Sequence, residues 1–116
     1  MAYFGENAVW AWLNVNMEPT EAERDSYNVD AFTDNGTGDI TVNFTNNTSA
    51  ANYVVAVHSS RNNANNNGSD CLSWPSVCAK STSGFTVHIG QTNSGFSSTI
   101  GASNLAEVCD IIVFGK

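Results

Sequence analysis

Positive charge is scarce in this sequence. Lys and Arg together number four against eleven Asp and Glu, which gives a formal net charge of −7. A chain this acidic repels phosphate backbones, so we expect no nucleic-acid partner. Most of the acid lies in the first third of the chain. We expect these acidic residues to form either a solvated face or a surface that is electrostatically complementary to a basic partner.

Long apolar runs and secretion signals are also lacking. No segment approaches the roughly 20 apolar residues that a membrane-spanning helix needs, so we expect no membrane insertion. The first residues contain Glu6 and no basic residue, unlike a secretory signal peptide. We therefore expect synthesis in a cytoplasm, with any external location reached inside a larger assembly.

Cysteine is limited to three residues, and an odd number argues against a secreted disulfide scaffold. Cys71 and Cys78 flank a segment in which Pro75 could turn the chain and bring the two sulfurs within bonding reach. They are therefore a candidate disulfide outside a reducing compartment. Cys109, within "VCDIIVF", is expected to behave as a small buried hydrophobe.

The residue patterns that carry catalysis or bind metals are missing. The only two histidines, His58 and His88, fall inside predicted strands, and no serine lies in a Gly-x-Ser-x-Gly turn. Cys71 and Cys78 are too far apart for a usual zinc pair, and a hairpin turn explains "DNGTGD" better than a calcium loop. We predict no catalytic residue, metal or cofactor. A small hydrolase acting on surface polysaccharide stays as a minor alternative.

Apolar and polar residues alternate in several short segments. "DITVNFT" is the clearest strand, and the Gly- and Asn-rich "DNGTGD" before it predicts a hairpin. "AVWAWLNVN", "NYVVAVHSS" and "FTVHIGQT" alternate similarly, and "CDIIVFG" is too apolar for an exposed sheet edge. We predict an all-β fold: one antiparallel β-sandwich domain of six to seven strands over residues 1–116.

Two segments depart from the strand pattern. "MEPTEAERDSYNV" favours a helical turn, although Pro19 and the lack of an apolar stripe argue against a long helix. Residues 61–84 show almost no apolar periodicity and are interpreted as a long loop. Loops of that length are usually functional when they occur in a compact domain.

Three strings in the first half of the chain carry a resemblance. "AWLNVN", "RDSYNV" and "TDNGTGDITVNF", together with the ending "IIVFG", resemble a module of tailed-bacteriophage fibre and virion proteins. The resemblance implies a non-enzymatic structural role in the virion. Because the module fills this chain, a capsid decoration (cement) protein or a small fibre subunit is expected, with capsid or fibre-base proteins as partners.

A weaker likeness concerns the fold alone. "NYVVAV", "GFTVHI" and "DIIVFG" resemble strands of the trimeric H-type lectin sandwich. This likeness implies a homotrimer but assigns no sugar-binding residue.

Two sets of residues are candidate sites. Trp10 and Trp12 are candidate subunit or capsid contacts, because Trp is favoured at interface centres, with ordinary core packing as the alternative. The second set belongs to the predicted loop and would make the protein a receptor- or glycan-binding module at a fibre tip. There Trp74 offers a flat apolar platform, and nearby amides could bond a host surface glycan: Asn62, Asn63 and Asn65. A solvated loop without a ligand is the alternative.

Overall fold

The structure, a computed structural model, describes residues 8–17, 22–36, 38–60, 73–91, 101–102 and 108–115. These segments form β-strands and contain no helix, so none of them provides a helix that could cross a membrane. The strands are β1 (Val9–Asn16), β2 (Ala22–Tyr27), β3 (Val29–Gly36), β4 (Asp39–Phe44), β5 (Val54–Ser60), β6 (Ser73–Ser81), β7 (Gly84–Gln91), β8 (Gly101–Ala102) and β9 (Val108–Phe114). The all-β prediction is confirmed.

Four strands form the first sheet, here called sheet A, in the order β2-β1-β9-β5 with every pair antiparallel. Strand β9 lies between two neighbours, which confirms that this apolar segment is not a sheet edge. From Ala11 to Val15 strand β1 alternates as predicted: Ala11, Leu13 and Val15 are buried, whereas Trp12 and Asn14 between them are partly exposed. Val9, predicted on the same face as Ala11, is exposed instead because a β-bulge separates the two residues.

The second sheet, sheet B, has the order β3-β4-β7-β6. Strands β3 and β4 pair antiparallel, which confirms the hairpin predicted from "DNGTGD". The short β8 pairs with Gly90 and Gln91 of β7, and these residues also pair with β6. A strand has only two edges, and β6 occupies one edge of β7, so β8 lies on the other edge, where β4 also pairs. β8 therefore follows β4 along the same edge of β7.

The chain passes from sheet A to sheet B at Asn28, between β2 and β3. Its φ of +55° lies in the left-handed region, which Asn tolerates better than most residues. Its Oδ1 accepts hydrogen bonds from the backbone N–H and from Nδ2 of Asn46, both at 2.9 Å, and its Nδ2 donates to the carbonyl of Trp10 at 3.0 Å. This Asn28 corner ties β1 and the end of β4 to the crossing point.

Apolar side chains from both sheets meet in one core. On β1 and β9 they include Leu13, Val15, Cys109, Ile111 and Val113; on β4 and β7 they are Ile40, Val42, Phe44, Phe85, Val87 and Ile89. The arrangement is therefore sandwich-like, with two antiparallel sheets covering a shared interior. Cys109 is fully buried, which confirms its predicted role as a core residue.

One end of the core is closed by the segment that joins β4 to β5. Tyr53 packs edge-on against Phe44, and its hydroxyl lies 2.7 Å from the carbonyl oxygen of Gly84 and 3.0 Å from that of Ser81. Burial raises the pKa of the Tyr53 phenol. The backbone approaches so closely here that a Cβ on Gly84 would lie 2.0 Å from the carbonyl oxygen of Val42. Only glycine fits this position.

Two parts of the sequence interpretation are wrong. The predicted helical turn is a strand over residues 22–27, because pairing with β1 satisfies the backbone there and the segment has no apolar stripe to bury as a helix. The predicted loop is a strand over residues 73–81. Among the described strands it pairs only with β7, and an edge strand tolerates Pro75. With these strands and β8, the described part of the chain exceeds the six to seven strands predicted.

Candidate functional site

The outer face of sheet A carries two rows of uncharged, largely apolar side chains. One row crosses three strands through paired residues Val9, Phe114 and Val54, and the next crosses all four through Tyr27, Trp12, Ile112 and Ala56. Four of the five large hydrophobic side chains found exposed in the described segments belong to these rows. We call the two rows the apolar face.

The exposure of these side chains is large for apolar residues. Val54 is 62% exposed and Ile112 is 39% exposed, although Ile112 lies on one of the two central strands of its sheet. A single exposed apolar residue is ordinary, but a contiguous group is typical of a surface that meets another molecule.

A groove follows the seam between β1 and β9 on the same face. It encloses about 490 Å³ and is lined by side chains or backbone of Val9, Trp12, Leu13, Asn14, Asp110, Ile111 and Ile112. Leu13 and Ile111 point into the core, so they contribute backbone to the floor of the groove. Trp12 and Ile112 face each other across the two strands and form its walls.

Polar residues border the groove at one end. The next row along the sheet contains Asp25, Asn14, Asp110 and His58. Asn14 Nδ2 donates to Asp110 Oδ1, and His58 Nδ1 lies 3.6 Å from Asp110 Oδ2. Both of these partners of Asp110 lie on adjacent strands, so the backbone register alone brings the three together. The apolar face thus ends at a hydrogen-bonded polar row.

The structure separates the two tryptophans that the sequence placed together. Trp12 lies on the apolar face, whereas a β-bulge between Val9 and Ala11 changes the direction of Trp10. Trp10 packs partly buried against the core, and its ring N–H donates to the carbonyl of Asn46 at 3.1 Å.

The outer face of sheet B is polar. Asn35 Nδ2 donates to Asp39 Oδ1 at 3.0 Å and to Thr41 Oγ1 at 2.8 Å, and the Thr41 and Thr86 hydroxyls are 3.3 Å apart. His88 Nδ1 lies 3.4 Å from the other carboxylate oxygen of Asp39. The side chains of His88 and Asp39 are 45% and 32% exposed, so this network is open to solvent.

Asp39, His88 and Ser76 occupy one row across β4, β7 and β6, in the order of a catalytic triad. Within the described segments, however, Ser76 forms no hydrogen bond with His88. An acyl-transfer site also needs free backbone N–H donors for an oxyanion, and the residues of this row lie in paired strands whose N–H groups serve the sheet ladder. In the described segments the row therefore holds a carboxylate–imidazole pair without a hydrogen-bonded serine.

Trp74 is on the edge strand β6 rather than in a loop, and it is 38% exposed on the outer face of sheet B. Asn62, Asn63, Asn65 and Cys71 lie outside the described residues. Cys78 is exposed and forms no disulfide with any residue that the structure describes.

No three His, Cys, Asp or Glu side chains of the described segments come together as a group that could hold a metal ion.

The sequence analysis missed most of the apolar face. No role was assigned to Tyr27, Val54 or Ile112. Yet "IIVF" and "YVVAV" are continuous apolar runs, which place apolar residues on both faces of a strand. The polar network on sheet B was missed for another reason. Its members come from three strands, and only the cross-strand register brings Asn35, Asp39 and His88 together.

Comparison with known proteins identifies no relative: no family model matches the chain, and neither the curated proteins nor the solved structures yield a match.

Proposed function

We propose that this chain is a non-enzymatic structural subunit of a tailed-bacteriophage particle, either a capsid decoration (cement) protein or a small fibre subunit. It associates with further copies of itself through the apolar face. The observation that carries this proposal is the two uncharged rows, in which Val54 and Ile112 are exposed and Trp12 is partly exposed on one side of the molecule.

The absence of charge on this face permits a second copy as its occupant. Each chain has a net charge of −7, so two copies repel one another over most of their surfaces. The two rows contain no acidic residue, and the nearest carboxylates lie in the bordering row, at Asp25 and Asp110. Copies can therefore meet on the apolar face without opposing two buried carboxylates.

The size of the face favours repeated contacts over one strong pair. One row of four strands and one of three cover roughly 230 Å², from the spacings of a β-sheet. A stable interface uses about 800 Å² on each partner, so this face supplies about a third of that area. Such a contact becomes stable when several copies act together, as in a trimer or on a particle with many equivalent positions.

The assignment to a phage particle is supported by the sequence resemblance. Its strings occupy the framework of the fold: "AWLNVN" lies in β1, and "TDNGTGDITVNF" contains the second half of β3 and all of β4. These strings therefore correspond to one strand of sheet A and to the β3–β4 hairpin of sheet B.

The first test is the oligomeric state of the purified chain by sedimentation equilibrium. The double variant V54T/I112T replaces two exposed apolar residues by Thr, which keeps a β-branched shape and strand propensity. We expect the wild type to form a trimer and this variant to dissociate at least tenfold more readily. The matched control, Thr33→Val on the outer face of sheet B, should assemble like the wild type. A monomeric wild type at high concentration would refute self-association.

The second test is the copy number of the chain in purified phage particles, measured by quantitative mass spectrometry against the major shell protein. A ratio comparable to the shell subunit indicates a decoration protein, and a small ratio indicates a fibre or spike subunit. Absence of the chain from the particles would refute the virion role.

A receptor- or glycan-binding module at a fibre tip remains the second candidate function. The observation that favours it is the exposed Trp74 on sheet B, on the outer face that carries the polar network. A small copy number in the particle would favour this function over decoration.

A further inference from the structure

The outer face of sheet B combines a flat aromatic surface with an ordered set of hydrogen-bonding groups. We propose that this face is a carbohydrate-binding surface for neutral pyranose sugars, with the Trp74 ring as the stacking platform and Asp39 and His88 as the principal hydrogen-bonding groups. The proposal concerns sheet B and does not depend on self-association through sheet A.

The position of Trp74 leaves room beside its ring. Trp74 pairs with Gly90, which has no side chain, so no cross-strand neighbour on β7 competes for the inner side of the indole. The next row on the same face brings Ser76 and His88. A flat apolar surface next to polar groups suits a pyranose ring, whose C–H groups pack on an aromatic ring while its hydroxyls form hydrogen bonds at the edge.

The hydrogen-bonding groups are already ordered without a ligand. Asn35 holds one carboxylate oxygen of Asp39 and His88 faces the other, and each of these oxygens retains a second lone pair. When His88 donates from Nδ1 to Asp39, its Nε2 becomes an acceptor on the opposite edge of the ring. Ordered acceptors lower the cost of binding a ligand that brings several hydroxyl donors.

The dimensions fit one or two sugar rings. From strand spacing and rise, the Cα atoms of Trp74 and His88 are about 7–8 Å apart, and those of Trp74 and Asp39 are about 12 Å apart. A single ring can therefore stack on Trp74 and reach His88, while Asp39 lies within reach of the same ring's hydroxyls or of a second ring.

The chemistry of the face selects among ligands. A carboxylate acceptor in a chain of net charge −7 disfavours acidic sugars and phosphates. The exposed polar groups would be left unpaired by an apolar peptide or a lipid tail. A neutral polyhydroxyl ligand avoids the charge repulsion and forms hydrogen bonds with the exposed polar groups.

The test is titration of the ¹⁵N-labelled chain, followed by NMR, with three probes: methyl β-D-glucopyranoside, tri-N-acetylchitotriose and N-acetylneuraminic acid. Probes are used up to about 20 mM, because contacts of this size give Kd values near the millimolar range. We expect both neutral probes to shift the Trp74 indole signal and the amide signals of Thr86 and His88. Stronger binding of the trisaccharide would indicate a chain ligand, whereas equal binding would indicate a single terminal ring.

Three variants define the outcome. Trp74→Ala should weaken neutral-sugar binding at least tenfold, and Trp74→Phe should recover part of it. Asp39→Asn should also weaken binding, whereas the matched control Asp30→Asn, an exposed position on the opposite edge strand β3, should bind like the wild type. The proposal is overturned if no neutral probe shifts these signals, if Trp74→Ala binds as tightly as the wild type while its spectrum shows a folded chain, or if N-acetylneuraminic acid binds equally well.

Sugar binding by the outer face of sheet B is measured by NMR titration, and self-association through the apolar face is measured by sedimentation. A failure of one therefore leaves the other intact.

Discussion

The Asn28 corner offers the most informative test of how this fold is held together. Asn28 combines a left-handed backbone conformation with hydrogen bonds to Trp10 and Asn46. These two contributions can be separated by replacing Asn28 with Gly and with Ala. Gly accepts a positive φ but loses the side-chain hydrogen bonds, whereas Ala loses the bonds and resists the backbone conformation as well.

The magnitudes follow from these contacts. The Asn28 side chain forms four hydrogen bonds, one of them long at 3.4 Å. At the low end of roughly 0.5–1.5 kcal/mol each, because the position is partly exposed, they predict that Asn28→Gly lowers the free energy of unfolding by about 2 kcal/mol. An Ala residue in the left-handed backbone conformation costs about 1–2 kcal/mol relative to Gly. Part of this cost, roughly 0.4–1 kcal/mol, is offset because Ala makes the unfolded chain less flexible than Gly does. We therefore expect Asn28→Ala to be about 0.5–1 kcal/mol less stable than Asn28→Gly.

Urea unfolding followed by tryptophan fluorescence measures these differences as shifts in the midpoint at constant slope. Asn46→Ala removes only the bond from Asn46 Nδ2 and keeps the backbone partners of Asn28, so it should lose about 0.5–1 kcal/mol. The double variant with Asn28→Gly should be less than additive because the two side chains bond each other. Asn47→Ala, at the exposed neighbouring position, is the matched control and should stay within about 0.5 kcal/mol of the wild type. Wild-type stability of Asn28→Ala would refute the reasoning, as would equal stability of the Gly and Ala variants.

Three further predictions concern the core. Tyr53→Phe removes the hydroxyl that donates to the carbonyl of Gly84 and should destabilise the fold by about 1–2 kcal/mol in the same assay, whereas an unchanged midpoint would show that this bond contributes nothing. Gly84→Ala places a Cβ against the Val42 carbonyl and should cost about 3 kcal/mol or more, so a well-folded, wild-type-like circular dichroism melt would contradict the close approach. Burial and, to a smaller degree, the Asp110 carboxylate raise the pKa of the Cys109 thiol to about 12. Between about pH 9 and pH 12 the unfolded chain therefore loses this proton while the folded chain keeps it, and stability should fall with rising pH by about 1.4 kcal/mol per unit. Cys109→Ala should lack this part of the slope, and an identical slope in both proteins would contradict the assignment.

The alternation of apolar residues was enough to predict most of the strands. Ile40, Val42 and Phe44 are buried as the pattern of "DITVNFT" predicts, because a strand with one buried face must alternate. The edge strands were harder. Apart from Tyr27 at its end, β2 has mostly polar side chains, and β6 contains a proline. Among the described strands each pairs with one neighbour, and backbone pairing leaves no signal in local composition.

For the candidate sites, the sequence indicated single residues but not their neighbours in space. The sequence made Trp12 a candidate interface residue because tryptophan is favoured at interface centres, and it made Trp74 a candidate because its ring offers a flat apolar platform. Their partners were not identified, since Ile112 is one hundred residues from Trp12 along the chain and His88 becomes a neighbour of Trp74 only through the register of β6 on β7.

By itself the sequence determined the all-β class, the central position of "CDIIVF", the hairpin at "DNGTGD" and the burial of Cys109. These follow from side-chain period, turn chemistry and hydrophobicity, which act over a few residues. Only the tertiary structure decided which residues share a face. The register of antiparallel strands placed Tyr27, Trp12 and Ile112 in one apolar row and Asp39, His88 and Ser76 in one polar row. A shift of one residue would have turned each set to the other side of its sheet.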